Sequence, residues 1–99
     1  MKKIRYKIAM RGWSGWKVKE VAGHAFMHNK FRLCVRETSM LEGTWCVDEY
    51  DTGLSVAMNH KTRNDALRAA RQRLDEKGEE ATTRAIEDGL ATLRTARLI

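Results

Sequence analysis

The spacing of apolar residues changes once along this 99-residue chain, close to residue 60. Before that point, apolar and polar side chains alternate in short runs separated by turn residues, which is typical of strands with one buried face. After it, apolar residues recur at helical spacing, Thr62 followed by Asp65 favours a helix start, and Gly78 favours a helix end. We therefore predict one α+β domain over 1–99: a four- or five-stranded antiparallel meander over 1–58, then one or two helices over 62–96 packed on one sheet face.

The first two runs predict a hairpin with its turn at Gly12–Gly15. Residues 2–10 alternate between apolar and basic side chains, and the run that begins at Trp16 alternates again. If the residue numbers of each cross-strand pair have an even sum, the apolar side chains of both strands share one face and their cations lie together behind it. We expect this register, with the apolar face under the helices.

The runs 31–36 and 45–49 predict a second hairpin, joined by a loop at Thr38–Glu42. One register brings apolar residues opposite each other and also brings opposite charges together. Its pairs are Val35–Trp45, Leu33–Val47, Arg32–Asp48 and Cys34–Cys46. A tight turn at Asp51–Gly53, with the glycine in the left-handed conformation, then leads into the last strand.

Charge is unevenly distributed along the chain, although the total is only +6. Residues 1–36 carry a net charge of +9, residues 37–60 carry −5, and residues 61–99 carry +2. On the predicted fold, seven cations share the outer sheet face: Lys3, Arg5, Lys7, Lys17, Lys19, Arg32 and Arg36. Such a face is typical of a phosphate-binding surface, and equally of the solvated side of an antiparallel sheet.

Three tryptophans fall in or near the predicted sheet. Trp16 and Trp45 lie on the predicted apolar face and are expected in the core. Trp13 lies in a glycine turn, where a side chain is exposed and can anchor a partner or pack locally.

None of the sequence motifs that resemble catalytic or metal-binding sites is expected to be functional. Asp51–Gly53 matches the triplet of aspartic proteases, but its flanking residues and the helical C-terminal third do not fit that fold. Ser14 lies between two predicted strands, unlike the serine of a nucleophile elbow. A zinc site is disfavoured because six strand residues, roughly 20 Å, separate His28 from Cys34. We predict no catalytic residue, no metal and no cofactor.

The sequence also bears on location. Basic residues interrupt the first apolar run, and no run of about 18 apolar residues occurs, so neither a secretory leader nor a membrane span is expected. We expect a cytoplasmic protein whose two cysteines remain thiols.

The stretch from Trp45 to Leu74 resembles a pattern found in small phage and mobile-element proteins. The matching residues are Trp45, Cys46, Val47, Thr52, Gly53, Val56, Ala57, Thr62, Ala66, Ala70 and Leu74. Proteins of this kind include anti-CRISPR proteins, which inhibit host defence complexes by covering a surface of the target. The resemblance implies an inhibitor of a host nucleoprotein complex, and it assigns a role to no individual residue.

Two functional hypotheses follow. The leading one is a non-catalytic binding protein that occupies a protein or nucleoprotein complex through its basic hairpin and Trp13. The alternative is a small basic protein that binds nucleic acid through the same face. The alternative ranks second because no aromatic side chain is expected between the cations, as single-strand binders require. The oligomeric state and the partner stay open.

Overall fold

The computed structural model describes residues 1–38 and 43–99, and the chain folds as five strands followed by two helices. The elements are β1 (Lys2–Gly12), β2 (Gly15–His28), β3 (Phe31–Glu37), β4 (Trp45–Glu49), β5 (Ser55–His60), α1 (Arg63–Lys77) and α2 (Glu79–Thr95). The strands form one antiparallel sheet in the order β1-β2-β3-β4-β5. The predicted α+β meander with C-terminal helices is thereby confirmed. The predicted loop at Thr38–Glu42 lies, apart from Thr38, outside the described residues.

The C-terminal region forms two helices because Gly78 interrupts it. Thr62 caps α1, since its hydroxyl accepts a hydrogen bond from the Asp65 backbone N–H at 3.1 Å. Gly78 ends α1 with φ at +86°, a value that favours glycine, and its N–H donates to the Leu74 carbonyl at 2.9 Å. Both predicted helix boundaries are confirmed.

The main hydrophobic core lies between the sheet and the helices. α1 buries one apolar face against β3, β4 and β5. The buried members of this core are Phe26, Phe31, Leu33, Val35, Val47, Ala57, Ala66, Leu67, Ala70 and Leu74. Trp45 packs against it while partly exposed, and Trp16 is only half-buried on β2. The core location predicted for Trp45 is thus found only in part, and the one predicted for Trp16 is wrong, because Trp16 belongs to neither core cluster.

The second hairpin is shifted by two residues from the predicted register. Val35 lies opposite Val47, Cys34 opposite Asp48, and Arg36 opposite Cys46. The predicted pairing of Arg32 with Asp48 and of Cys34 with Cys46 is therefore wrong. A shift of two keeps every side chain on its predicted face, because strand side chains repeat with period two.

The first hairpin departs by an odd number of residues, and the consequence is larger. Gly12 pairs with Gly15, so the turn contains only Trp13 and Ser14, and the paired residue numbers sum to 27. Gly15 has φ at +106°, which favours glycine at the end of this short turn. The predicted even register is wrong, and the cations of β1 lie on the opposite face from those of β2.

A second, smaller apolar cluster lies on the sheet face away from the helices. It contains Tyr6, Ile8 and Cys34, with Ile4, Val21, Ala25 and Tyr50 packed around them. β1 reaches this face because the hairpin curls over it. The Ala9 N–H donates to the Gly53 carbonyl at 3.0 Å, which joins the edge strand to the β4–β5 turn. Gly53 has φ at +69°, so the predicted left-handed turn glycine is confirmed.

Candidate binding surfaces of the basic arm

Residues 2–20 of the first hairpin, which we call the basic arm, hold seven Lys or Arg and one acid. The arm is two-stranded from its tip to Gly23, because β3 pairs with β2 only from His24 onward. Both strands of this stretch therefore keep a large accessible surface. Its two faces differ in composition.

The helix-side face of the arm carries four cations of β1. They are Lys3, Arg5, Lys7 and Arg11, and all four are exposed. Arg5 pairs with Glu20 on the neighbouring strand, and this hydrogen bond and charge lower the pKa of Glu20. Lys3, Lys7 and Arg11 form no salt bridge within residues 1–38 and 43–99, although Lys7 lies directly opposite Glu20 and its charge also lowers the pKa of Glu20.

An aromatic side chain lies within this row. Trp16 is directly opposite Arg11 in the ladder, and Val18 follows on the same face opposite Ala9. Side chains that are directly opposite in an antiparallel pair lie about 4.5–5.5 Å apart at their Cβ atoms. The observed register thus combines the cations with an aromatic ring, which the predicted register did not.

The tip of the arm is formed by Trp13. Its exposed fraction is 108%, the highest of the large hydrophobic side chains in the described part of the chain. The predicted exposure of Trp13 is confirmed, and local packing of this side chain is not observed. A fully exposed indole on a two-residue turn is available to a partner.

Two of the predicted basic residues lie away from the arm. Arg32 on β3 is exposed, and its guanidinium lies 4.1 Å from the centre of the Tyr50 ring. Arg36 is half-buried, and its Nε donates to Oδ2 of Asp48 at 2.8 Å. The prediction of one shared solvated face for all seven cations is therefore wrong.

Asp48 links the arm to the sheet. It is 1% exposed, and its Oδ2 accepts from the Tyr6 hydroxyl at 2.7 Å as well as from Arg36. Burial, and then the Asp48 carboxylate, raise the pKa of Tyr6. The pKa of Arg36 is also raised, because its hydrogen bond to Asp48 and the Asp48 charge outweigh the opposing effect of burial. We call Tyr6, Asp48 and Arg36 the carboxylate clasp.

The two cysteines border this clasp as free, buried thiols. Burial and the nearby Asp48 charge raise the pKa of Cys34 and of Cys46 to about 11. Since the thiolate is the nucleophilic form, both thiols are unreactive at neutral pH.

The opposite side of the arm, the cleft face, carries Lys17 and Lys19. Both are exposed, and they share this face with Ile8 and Met10. Between the distal arm and the outer face of β3, β4 and β5 lies a cleft of about 530 Å³. Four cations line it, namely Arg11, Lys17, Lys19 and Arg36, together with one acidic residue, Asp48.

The motifs rejected at the sequence level have structural roles. The Glu49 carboxylate accepts from the Asp51 N–H, the Thr52 N–H and the Thr52 hydroxyl at 2.7–2.8 Å, so Asp51–Gly53 is a braced turn. His28 pairs with Asp75 on α1 at 2.7 Å. Within the described residues, no three His, Cys, Asp or Glu side chains are arranged to hold a metal ion.

Comparison of the chain with protein-family models, curated proteins and solved structures gave no match. The resemblance of Trp45–Leu74 to small phage proteins therefore stays a prediction. Of the helices in residues 1–38 and 43–99, neither is long and apolar enough to cross a membrane.

Sequence reasoning found the cations and Trp13 but missed the carboxylate clasp and the cleft. Alternation already placed Asp48 and Cys46 on the outer face, and cysteine is among the residue types that are most often buried. The partner was hidden because the odd register of the arm, which brings Tyr6 to that face, depends on the turn and not on the alternation.

Proposed function

We propose that this chain is a non-catalytic protein that binds single-stranded nucleic acid along the helix-side face of its basic arm. The observation that carries the proposal is the β1–β2 register, which puts Trp16 opposite Arg11 in a row with Lys3 and Lys7. Single-strand binders combine cations that follow the phosphates with aromatic rings on which bases stack. The objection that ranked this function second applied to a register that the chain does not adopt.

Charge supports the same proposal. Apart from Arg5, the arm's cations form no salt bridge within the described residues, and Lys7 alone of the others lies directly opposite an acid, Glu20, so most of their charge is available to replace the counterions of a phosphate backbone. Because Lys3, Lys7 and Arg11 project from one strand, they can follow an extended chain of phosphates.

A single strand fits better than a duplex. A two-stranded ribbon can enter the major groove of DNA, but it must then be free on the sides that face the groove walls. Here the Ala9–Gly53 hydrogen bond and the burial of Tyr6 and Ile8 hold β1 against the sheet. The four cations of the helix-side face stay exposed, although Arg5 and Lys7 line a cavity that Leu93 and Ile99 also line. An extended single strand needs only that face.

Fluorescence anisotropy with a labelled 15-nucleotide oligothymidine, measured over a salt series, tests this proposal. The matched variants are Lys3→Gln/Lys7→Gln on the helix-side face and Lys17→Gln/Lys19→Gln on the cleft face. We expect the first to reduce the slope of log K against log salt by about 1.4, since each single-strand phosphate contact contributes about 0.7. The second is expected to change the slope much less.

Stacking of a base on Trp16 is the second part of the test. Trp16→Ala is expected to weaken oligothymidine binding by about 1–3 kcal/mol, the usual contribution of one stacked base. Equal effects of both lysine variants, or wild-type binding by Trp16→Ala, would contradict the assignment to the helix-side face. The absence of any salt-dependent binding would overturn the function.

A protein-directed function remains the second candidate, as an inhibitor that covers part of a host nucleoprotein complex. The complete exposure of Trp13 at the tip favours it, because tryptophan is enriched among residues that dominate interface energies. In affinity capture from nuclease-treated host lysate, this candidate predicts one retained complex with the wild type and its loss with Trp13→Ala. Capture that nuclease abolishes would favour direct nucleic-acid binding instead.

A further inference from the structure

The cleft under the distal arm has the volume and the chemistry of a small-molecule site. Its volume of about 530 Å³ lies within the range of roughly 300–1,000 Å³ that is usual for ligand pockets. It exists because β1 is tied to Gly53 while the tip of the hairpin continues past the sheet. The helix-side face, which carries the proposed nucleic-acid surface, is on the other side of the same ribbon.

The charge of the cleft is strongly positive. The one carboxylate in its lining belongs to Asp48, which is already engaged by Arg36 and Tyr6. Lys17 and Lys19 have no acidic partner among residues 1–38 and 43–99. Two ammonium groups at a partly enclosed cleft attract an anion more strongly than they would on an open surface, because the surrounding dielectric constant is lower.

The rest of the lining is largely apolar and adaptable. Ile8, Met10 and Met58 line the cleft, and both methionines remain partly exposed, at 38% and 57%. Methionine is flexible and polarisable, and its sulfur makes favourable contacts with aromatic rings. An aliphatic phosphate or an inorganic anion would leave these side chains in water.

We propose that this cleft binds an organic anion with an aromatic body. The ring system lies against Met10 and Met58, and the acidic group meets Lys17 and Lys19. Apart from Arg11, which lines the cleft and also belongs to the cation row of the helix-side face, the charged arm residues of this site lie on the opposite face from the proposed nucleic-acid surface. The site does not depend on that function.

The test is a pair of probes with the same ring system and different charge. The intact protein is titrated with 8-anilinonaphthalene-1-sulfonate and with N-phenyl-1-naphthylamine, its counterpart without the sulfonate, and fluorescence is recorded. We expect saturable 1:1 binding of the sulfonate, at least tenfold tighter than binding of the neutral amine.

Matched variants locate the site. Lys17→Gln/Lys19→Gln is expected to weaken sulfonate binding about tenfold without changing the affinity for the amine. Lys3→Gln/Lys7→Gln, which removes the same charge from the other face, is expected to change the affinity for the sulfonate less than twofold. Met58→Ala should weaken binding of both probes, since it removes apolar contact.

Three results would overturn the proposal: equal affinity for the two probes, equal loss in the two lysine variants, or sulfonate binding that does not saturate. Thermal melting of each variant by circular dichroism shows whether the fold is kept, and all four lysines are exposed. The oligothymidine assay with the same variants separates this proposal from the nucleic-acid one, because each predicts sensitivity to a different pair of lysines.

Discussion

The two sides of the sheet are stabilised in different ways. On the helix side, apolar residues from the strands and α1 pack into one cluster. On the outer side, a small cluster of Tyr6, Ile8 and Cys34 surrounds the buried Asp48. The helix side thus depends mainly on apolar contact area, whereas the outer side depends on a carboxylate that must keep its hydrogen-bond partners.

This difference determines how each side responds to substitution. A lost methyl group on the helix side leaves a cavity whose cost depends on how far the neighbours relax. A lost partner on the outer side leaves a buried charge or hydroxyl uncompensated, and relaxation cannot repair it. The arm is held to the body of the protein mainly by the outer side, so the position of the proposed binding surfaces depends on the clasp.

The largest effect is expected from Asp48→Ala. The substitution leaves the Arg36 guanidinium and the Tyr6 hydroxyl without their common acceptor, so we expect a loss of about 3–5 kcal/mol in the free energy of unfolding. Urea denaturation followed by circular dichroism measures it. Asp48→Ala/Arg36→Met, which removes both charges, should recover part of the loss. A loss under about 1 kcal/mol would show that the carboxylate clasp is not what stabilises the outer side of the sheet.

The second-largest effect is expected from Gly53→Ala. Comparison with Gly78→Ala separates the loss of the contact between β1 and the β4–β5 turn from the cost of backbone strain alone. Gly53→Ala places a Cβ atom against the Lys7 carbonyl oxygen in addition to forcing alanine to φ +69°. Gly78→Ala imposes a similar φ of +86° with no atom within 4 Å of the new Cβ. We expect about 1–3 kcal/mol for Gly78→Ala from the backbone conformation alone, since φ +86° with ψ +157° is a region that is essentially confined to glycine, and a clearly larger loss for Gly53→Ala. Equal losses in urea denaturation would mean that the β1–turn contact is unimportant.

A pH titration distinguishes the two sides without large structural change. The pKa values of Cys34 and Cys46 are about 11 in the folded chain against 9.0 for an ordinary thiol. A group whose pKa is raised on folding stabilises the fold below the unfolded pKa and loses that contribution as pH rises toward the folded value. The free energy of unfolding should therefore fall between pH 9 and 11, by about 1 kcal/mol per thiol at pH 10.

The control for this titration is Cys34→Ala/Cys46→Ala, in which the decrease over the same range should be smaller. The raised pKa of Tyr6 leaves a residual decrease in this variant. A profile identical to that of the wild type would mean that the thiols ionise as freely in the folded state as in the unfolded chain.

The two hairpins explain how much of this arrangement could be predicted. Alternation identified the strands, Thr62 and Gly78 identified the helix boundaries, and Trp13 was correctly expected to be exposed. In the second hairpin, a register error of two residues exchanged partners but kept faces, so Leu33, Val35 and Val47 were correctly expected in the core. The burial of Cys34, Cys46 and Asp48 on the outer face was not expected. In the first hairpin, the register error is odd and therefore exchanges the faces. The turn has two residues, whereas the predicted even register requires an odd number of turn residues.

The sequence predicted which residues belong to the candidate site but not how they are arranged on the faces of the arm. Charge segregation along the chain is visible in the sequence, but its division between the helix-side face and the cleft face depends on a single turn. Arg36 shows the same limit. Its position in the alternating pattern is that of an exposed strand cation. The pairing of Arg36 with Asp48 is buried only because the arm folds over the outer face and places Tyr6 beside Asp48.

The smallest effect on stability is expected in the arm itself. Lys3→Gln/Lys7→Gln and Lys17→Gln/Lys19→Gln each remove two exposed cations that form no salt bridge in the described residues, so the free energy of unfolding should change by less than about 0.5 kcal/mol. A slight increase is compatible with relief of repulsion among like charges. Urea denaturation at low salt, where exposed charges are least screened, measures this. Cations that can be removed without loss of stability, while ligand binding changes, serve binding and not folding. A loss above 1 kcal/mol in either variant would instead assign those lysines to the support of the arm.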